Sequence, residues 1–426
     1  MTTHKLLEEK PLQTLTGVNF YMTPLLFHAF FRNFVTECTL LKKMTHIEIK
    51  KVETKKDLKK FIDFHYELYK GSPYDVPNLF MDEMSTLSKD KNAAFEFCSA
   101  EYFMAYKDGK MVGRVAAIIN NRANERWEQK NVRFGWIDFI EDRDVLEALL
   151  KAVEDYGREH GMTHIVGPLG FTDMDPEGML TYGFDRLGTM PTIYNYEYYP
   201  RFFEEIGGYE VDNRYNEYII QIPREIPEKI KKLSEMIMKR YNLHIRKIRR
   251  SEIFGKEQMG QQLFRIINAT YKDLYGFSEM TEKQIHQTVK MFEPVLDVEL
   301  MTFIEDWNTP EHRVVGAGIT ISSLAKALQK CRRGRLFPFG WWHVLRALKW
   351  HKSEGIDLLL IGVLPEYRPK GASALIFYDL IKYYNKYNYK WAETQVEMED
   401  NKAVQGQWDM YEHENHKRRV CWRKQI

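Results

Sequence analysis

Residues 363–373 read Val-Leu-Pro-Glu-Tyr-Arg-Pro-Lys-Gly-Ala-Ser and lie between an apolar strand and an amphipathic helix. The apolar run at 358–361 precedes them, and apolar residues at helical spacing follow from Ala374 onward. A chain that passes from strand to helix through Arg-x-x-Gly-x-Ser leaves the first amides of the helix without intrahelical partners. Such amides, with a small-residue turn and a cation beside them, suit a phosphate group. The stretch is therefore a candidate phosphate site, and the alternative is an ordinary surface turn.

This stretch resembles the pyrophosphate loop of the GNAT superfamily, the acyl-coenzyme A-dependent N-acyltransferases, whose pattern is Arg/Gln-x-x-Gly-x-Gly/Ala. Arg368, Gly371 and Ser373 occupy the three defining positions, with Ser in place of the last small residue. The implied cofactor is acetyl-CoA or a long-chain acyl-CoA. The residues that the resemblance places around its pyrophosphate and thioester are Val363, Arg368, Lys370, Gly371, Ala372 and Ser373.

Composition narrows the classes of protein to consider. The 426 residues suit two or three domains, and 44 % of them are hydrophobic, so a core is easily formed. A net charge of +2 argues against a chain coated by nucleic acid along its length. The four cysteines are scattered singly, which predicts neither a zinc site nor a disulfide framework and favours a reducing cytosol. No run reaches the roughly 18 apolar residues that a membrane-spanning helix needs.

The start of the chain stands apart from the rest. Residues 17–41 are apolar but interrupted by polar residues, and Met44 opens a stretch that reads like the first strand of a domain. We interpret residues 1–43 as an N-terminal extension, either disordered or the product of a misassigned start.

From Met44 the chain repeats one order of elements. A hairpin at 101–118, a strand at 134–139, a helix at 145–160 and a strand at 163–169 are matched by a second series. That series comprises a hairpin at 299–321, a strand at 358–363, a helix at 374–387 and a strand at 391–396. Such a repeat predicts two domains of one fold. The predicted boundaries are a first domain at 44–225, a helical linker at 226–241 and a second domain at 242–426.

The same order of elements is that of GNAT domains, so the resemblance implies an α/β (α+β) fold of two tandem GNAT-like domains. Each domain is then a mixed, mainly antiparallel sheet flanked by helices. More narrowly, the chain resembles a group of bacterial tandem-GNAT proteins that includes the bacterial ceramide synthases. The residues that prompt this comparison are Gly167-Pro168, the run 178–185 and residues 399–401.

The first half departs from the family pattern where the cofactor would sit. Residues 137–144 contain no glycine, and four acids surround one arginine. A pyrophosphate there would face like charges, so we expect the cofactor only in the second half. Asp142 or Asp144 is expected to cap the following helix.

An acidic loop and an aromatic run follow in the first half. The loop carries Asp173, Asp175 and Glu177, and the aromatic run spans 194–199. They form either the lining for an amine acceptor or a solvated turn beside a partly buried strand.

N-acylation requires a base for the ammonium proton and a donor for the leaving thiolate. The run Trp391–Glu397 places Glu393, Gln395 and Glu397 on one strand face if it is regular. Glu393 is the first candidate base and Glu397 the second, although a solvated strand face explains the same pattern.

The resemblance also implies a contact between Asn401 and the pantetheine arm. It further implies a tyrosine seven residues on that protonates the thiolate, but position 408 is Trp. The nearest tyrosine is Tyr411, which is the candidate general acid unless the thiolate leaves without a side-chain donor.

An insertion at 322–352 enlarges the second half and is both basic and aromatic. It has no acid before Glu354, and its Trp341, Leu345 and Leu348 share one helical face in the sequence pattern. Three interpretations stay open for residues 326–352: peripheral contact with an anionic membrane, packing on the first domain, and contact with RNA backbone. The last is the weakest, because the RNA-dependent relatives of this fold lack a good pyrophosphate loop.

The sequence thus predicts an acyl-CoA-dependent N-acyltransferase acting on an amine, and the resemblance implies a membrane-associated sphingoid base as the most specific candidate acceptor. The alternatives are an acetyltransferase for a small soluble amine and a non-catalytic CoA- or lipid-binding protein. No metal is expected, and the expected location is the cytoplasm, peripheral to the inner membrane.

Overall fold

A computed structural model describes residues 47–426, apart from the side chain of Ala403. The predicted extension at 1–43 lies outside the described residues. The first half contains β1 (Ile47–Lys51), α1 (Lys55–Leu68), α2 (Phe80–Thr86), β2 (Cys98–Lys107), β3 (Lys110–Asn120), α3 (Asn121–Arg126), β4 (Asn131–Phe139), α4 (Arg143–Glu159), β5 (His164–Gly167), β6 (Met179–Tyr182), α5 (Tyr198–Ile206) and β7 (Glu210–Gln221).

The second half repeats this series with the basic insertion added. It contains α6 (Glu228–Tyr241), β8 (Leu243–Arg246), α7 (Met259–Tyr271), α8 (Glu282–Phe292), β9 (Met301–Asp306), β10 (Arg313–Ser322), α9 (Ala325–Leu328), α10 (Gly340–Lys349), β11 (Gly355–Val363), α11 (Ser373–Lys386), β12 (Trp391–Glu393), β13 (Glu397–Met398), α12 (Lys402–Gln405) and β14 (His413–Gln425). None of the helices within residues 47–426 is both long and apolar enough to cross a bilayer.

The strands have the predicted mixed character, but they form one continuous sheet rather than a separate sheet in each half. The order is β1-β2-β3-β4-β5-β14-β7-β12-β11-β10-β9-β8, with β13 beside β7 and β6 beside β14. In each half an antiparallel run ends in one parallel pair, β4 with β5 and β11 with β12. The helix that follows the central strand, α4 or α11, buries one apolar face against the sheet.

The two halves exchange their last strands. Strand β7, which closes the first half in sequence, pairs with β12 of the second half, and the C-terminal β14 lies between β5 and β7. The boundaries at 225 and 242 stay a prediction, but each half depends on the other for a strand. The described part of the chain therefore folds as two interlocked units rather than two closed sheets.

A buried ion network lies at the seam between β7 and β14. Glu217 contacts both Arg419 and Lys417, with 3.1 Å between its Oε2 and the Lys417 Nζ. Burial would raise the pKa of Glu217, but the two cations outweigh burial and lower it to about 2. Because unpaired charges are costly to bury, this network favours the observed register of the exchanged strands over a slipped one.

Candidate active site

The central strands of the second half separate after three paired residues. Strand β11 pairs with β12 from Gly355 to Asp357, opposite Trp391 to Glu393. Beyond this point the two strands diverge, and a cavity of about 280 Å³ opens in the gap. Its walls come from β11, from the segment 394–398, from helices α7 and α8, and from the first half.

Most of the cavity wall is apolar. Helices α7 and α8, the turn after α8 and the strands beneath them supply a connected group of side chains: Leu263, Phe264, Val289, Phe292, Leu296, Met301, Ile319 and Leu358. Sequence reasoning missed this compartment, although apolar residues recur at helical spacing in both helices. The periodicity predicts two amphipathic helices, but it cannot show that they leave a space between them.

Glu397 lies on the wall of this cavity. Burial raises the pKa of its carboxyl to about 8, although a hydrogen bond from Trp408 acts in the opposite direction. The indole Nε1 of Trp408 donates to both carboxylate oxygens at 3.1 Å. A carboxyl group with a pKa near neutrality can accept a proton from an amine and release it again.

Glu393, the first candidate base from the sequence, lies elsewhere. Its side chain is buried, pairs with Lys417 at 2.6 Å and with His416 at 3.1 Å, and does not line the cavity. The expectation of one regular strand face is corrected by the pairing with β7. Glu393 pairs with Ile219 of β7, and Glu397 pairs with Asn216. The chain advances four residues from Glu393 to Glu397, whereas β7 advances only three between the paired positions. This one-residue bulge reverses the alternation of side chains, so Glu393 and Glu397 do not share a face.

The acidic loop of the first half reaches the same cavity. Asp173, Asp175 and Glu177 all line it. Of the two interpretations of this loop, the structure therefore favours a pocket lining over a solvated turn. Asp173 accepts from the Ser278 amide at 3.2 Å, and Glu177 accepts from the Tyr215 hydroxyl at 3.4 Å.

These three carboxyl groups have raised pKa values. Burial raises the pKa of Asp173 to about 7 and that of Asp175 to about 6, and burial with the neighbouring Asp173 charge raises that of Glu177 to about 8. We name them the acidic trio. A cationic group that entered the cavity would stabilise their ionised forms.

The acidic trio predicts a pH dependence of stability. In an unfolded chain such acids ionise near pH 4, so between about pH 4 and 8 the folded state binds more protons. The stability they contribute is complete below pH 4 and is lost as pH rises through the folded pKa values. The parent should therefore lose more stability than Glu177→Gln when the pH is raised from about 5 to 8.5. We expect the unfolding free energy of the variant, relative to that of the parent, to rise by roughly 1–3 kcal/mol over this range. Denaturant unfolding at the two pH values measures this.

The exposed Glu125 provides the matched control. Glu125→Gln is expected to keep the same difference from the parent at both pH values. An equally constant difference for Glu177→Gln would contradict a raised pKa in the folded state.

The predicted phosphate loop lies just past the end of β11, and none of its residues lines the cavity. Gly371 has φ +77, the left-handed conformation that favours glycine, and ends a 3₁₀ turn at Pro365–Lys370. Arg368 is exposed, and its guanidinium donates to the carbonyls of Val363 at 3.0 Å and Thr270 at 3.1 Å. The loop is thus tied to α7, whose Tyr271 lines the cavity.

The donors of the loop are fewer than the sequence pattern suggests. The amides of Gly371 and Ala372 donate to the carbonyls of Arg368 and Tyr367, and the Val363 carbonyl is taken by Arg368. Within the described residues the Ser373 amide at the start of α11 has no such partner. Ser373, with the side chains of Arg368 and Lys370, is therefore the part of the loop best able to meet a phosphate.

The remaining predicted residues divide between two cavities. Asn401 lines the larger cavity, as does Trp408. Tyr411 instead lines a small neighbouring cavity together with Trp408, and its buried hydroxyl has no hydrogen-bond partner within residues 47–426. Burial raises the pKa of Tyr411. Trp408 lines both cavities, whereas Tyr411 does not line the larger one.

Two further polar residues, Gln395 and Gln407, face the larger cavity, and neither is assigned a role in binding or catalysis by the sequence pattern. The side-chain amide nitrogen of Gln395 and the amide oxygen of Gln407 are buried without partners among the described residues. Buried polar groups in proteins are normally paired, so these two amides are suited to bind a polar group that enters the cavity. An amide-containing arm such as pantetheine fits that donor and acceptor.

The first half has an equivalent gap between β4 and β5, but fixed charges fill it. A cavity of about 60 Å³ remains, beside Asp138. Asp138 contacts Arg114 at 2.7 Å and His65 at 3.1 Å. Burial would lower the pKa of His65, but Asp75 and Asp138 raise it to about 10, so the imidazole stays charged. This network occupies the gap that the second half keeps open.

The helix start beside that gap is also occupied. Asp142 caps α4, and its carboxylate accepts from the Asp144 amide at 3.1 Å. Of the two caps expected from the sequence, Asp142 and Asp144, the structure therefore has the first. Within residues 47–426 no three His, Cys, Asp or Glu side chains are grouped to hold a metal ion.

Comparison with solved structures supports the overall fold. The chain aligns over 89 % of its length with a tandem GNAT protein from the clavulanic acid biosynthesis pathway, covering 98 % of that chain with a TM-score of 0.51 and 11 % sequence identity. The chain has the tandem GNAT fold. At this identity the likeness concerns the fold and not the substrate.

Sequence comparison shows that two curated proteins are similar to this chain. The bacterial ceramide synthase of Caulobacter vibrioides is 27 % identical over 368 residues, which cover 83 % of this chain and 91 % of the relative. Protein YghO of Escherichia coli K12 is 27 % identical over 314 residues, covering 74 % of this chain and 78 % of the relative. No family model matches the chain.

Proposed function

We propose that this tandem GNAT chain is an acyl-CoA-dependent N-acyltransferase with one cofactor site, in its second half. The observation that carries the proposal is the open gap between β11 and β12, where Glu397 meets the larger cavity. The likeness to a bacterial ceramide synthase and the tandem GNAT fold both support an N-acyltransferase.

The residues around the gap fit a CoA thioester. Arg368, Lys370 and the Ser373 amide would meet the pyrophosphate at the exposed loop. Asn401 and the unpartnered Gln395 would meet the pantetheine arm along the cavity wall. The cofactor supplies the activated acyl carbonyl. The apolar side chains of α7 and α8 would enclose an acyl chain, which favours a long-chain acyl-CoA over acetyl-CoA.

Glu397 is the proposed general base. Its raised pKa brings it closer to that of an amine, so proton transfer costs less free energy than to an ordinary carboxylate. The bond from Trp408 holds the carboxylate in place. Since Tyr411 does not line the larger cavity, the thiolate is proposed to leave without a tyrosine donor, which the acidity of the CoA thiol permits.

The acceptor is proposed to be an amphipathic amine, with a sphingoid base as the specific candidate. The acidic trio would attract its ammonium head group, and the apolar walls would cover part of its chain. The proposal places the protein in the cytoplasm, peripheral to the inner membrane, because acyl-CoA is used in the cytoplasm and a sphingoid base partitions into bilayers.

Turnover tests the proposal directly. The purified chain is incubated with a long-chain acyl-CoA and a sphingoid base, while release of CoA thiol is followed and the product is identified by mass spectrometry. Thiol release that requires the base, together with an N-acylated product, is the expected result. Binding of acyl-CoA without thiol release would favour a non-catalytic CoA- or lipid-binding protein. The structural argument for that alternative is that Tyr411 does not line the larger cavity.

The apolar compartment predicts a chain-length preference. Leu263→Trp is expected to lower kcat/KM for a 16-carbon acyl-CoA by about tenfold or more while changing that for a short acyl-CoA little, because the added ring fills space that only a long chain needs. Leu263→Met, which conserves volume, is the control. An equal loss for short and long chains in Leu263→Trp would show that the chain does not enter this compartment.

A further inference from the structure

Five large aromatic side chains of the basic insertion are exposed together. Phe337 is 79 % exposed, Phe339 76 %, Trp350 50 %, and Trp341 and Trp342 43 % each. The indole rings of Trp342 and Trp350 lie 5.4 Å apart, and those of Trp341 and Trp342 lie 5.8 Å apart. We name these five residues the aromatic face. Exposed apolar clusters of this kind mark interaction surfaces.

The aromatic face is not the side of α10 that packs on the protein. Gly340 and Ala347 are buried, and Val344 and Leu348 pack against the core. The predicted helical face of Trp341, Leu345 and Leu348 is therefore not exposed along its whole length, because Leu348 packs against the core. The residues that face the core recur at i, i+4, i+7 and i+8 from Gly340, which leaves Trp342 on the outer side and Trp341 at the edge of this stripe.

The cations of the insertion have two separate roles. Arg333 contacts Glu67 at 2.8 Å, and Arg335 contacts Asp63 at 3.2 Å, so these two anchor the insertion on α1 of the first half. Lys326 pairs with Glu354. These contacts agree with the packing interpretation for part of the segment.

The other cations stay available near the aromatic face. Arg346 and Lys349 are exposed on the outer side of α10, and within residues 47–426 no acid pairs with either. Lys330, Arg332 and Lys352, which lie outside α10, are also exposed, and no acid within the described residues pairs with them. From Ser322 to Ser353 the sequence contains no Asp or Glu.

We infer that the aromatic face docks onto the surface of a bilayer that contains anionic lipids. Tryptophan and phenylalanine side chains enter the boundary between head groups and acyl chains, while cations beside them meet lipid phosphates. A second copy of the chain fits less well, because a face with cations and no acids repels itself. This inference goes beyond the proposed function, since it concerns a surface outside the cavity and requires no catalysis.

Flotation with vesicles tests the inference on the full chain without substrates. The protein is expected to float with phosphatidylcholine–phosphatidylglycerol vesicles at low salt, and much less with phosphatidylcholine alone. One cation near an anionic surface changes partitioning by about fivefold, so Arg346→Gln with Lys349→Gln should weaken it by about 25-fold. Lys110→Gln with Lys130→Gln removes two exposed lysines of the first half and should change partitioning little.

A second variant tests the aromatic contribution. Phe337→Ser with Phe339→Ser should lose most vesicle binding while the protein keeps its thermal unfolding midpoint, because both rings are exposed. Failure of the parent to float would overturn the inference. So would an equal loss of binding in the Arg346/Lys349 variant and in the Lys110/Lys130 control. Binding of RNA with no flotation, or self-association through this face, would also overturn it. Flotation without turnover would support this inference while refuting the proposed chemistry, so the two can fail separately.

Discussion

Replacing Glu397 by Gln is expected to lower kcat by about 10²- to 10⁴-fold while the affinity for acyl-CoA changes little. Gln keeps the size of the side chain and an oxygen that can accept from Trp408, but it cannot take a proton from the acceptor amine. The rate of the parent should rise with pH up to the pKa of Glu397, about 8, because only the ionised carboxylate acts as a base. Thiol release against pH, with acyl-CoA affinity by calorimetry, measures both effects.

Glu399 is the matched control for this substitution, since it lies two residues away, is exposed and does not line the larger cavity. Glu399→Gln should retain the activity of the parent. Glu393→Gln separates the two candidates from the sequence, because it should change stability through the loss of charge beside Lys417 rather than the pH profile. A parent pH profile that persists unchanged in Glu397→Gln would assign the base elsewhere.

Arg368→Glu is expected to reduce acyl-CoA affinity by about 100-fold or more. The exposed loop would then present a carboxylate to a pyrophosphate, and at an effective dielectric constant of about 20 each like-charge contact costs a few kcal/mol. The substitution also removes the bonds from Arg368 to the carbonyls of Val363 and Thr270. Calorimetric titration with acyl-CoA measures the affinity.

Two comparisons separate charge from structure in that experiment. Arg368→Gln keeps a donor for the carbonyls, so an intermediate affinity would isolate the electrostatic part. Lys382→Glu reverses an exposed charge on α11 away from the loop and should leave affinity unchanged. Unchanged affinity in Arg368→Glu would refute the assignment of the cofactor loop.

The local elements were largely predictable. The hairpin of β2 and β3, the strand and helix on either side of the candidate loop, and the Asp142 cap all follow from short-range patterns. Such elements depend on periodicity, turn residues and capping groups within a few positions of each other. For the same reason, the repeat of elements was sufficient to predict two units of one fold.

The contents of the candidate site were predictable only in part. The acidic trio was visible as charged residues in a loop, yet nothing in the loop states that it reaches a cavity of the other half. Whether Glu393 or Glu397 meets that cavity depends on one extra residue against β7. A bulge changes no composition and little periodicity, so a single sequence does not reveal it.

The sequence by itself determined the kind of elements, their order and the position of one candidate phosphate loop, because these depend on side chains close together along the chain. The tertiary structure alone decided the exchange of β7 and β14, the open gap beside β11, and which acids line it. Those features arise from pairings between residues far apart along the chain, such as Glu217 with Arg419, whose energies depend on burial that only the folded chain creates.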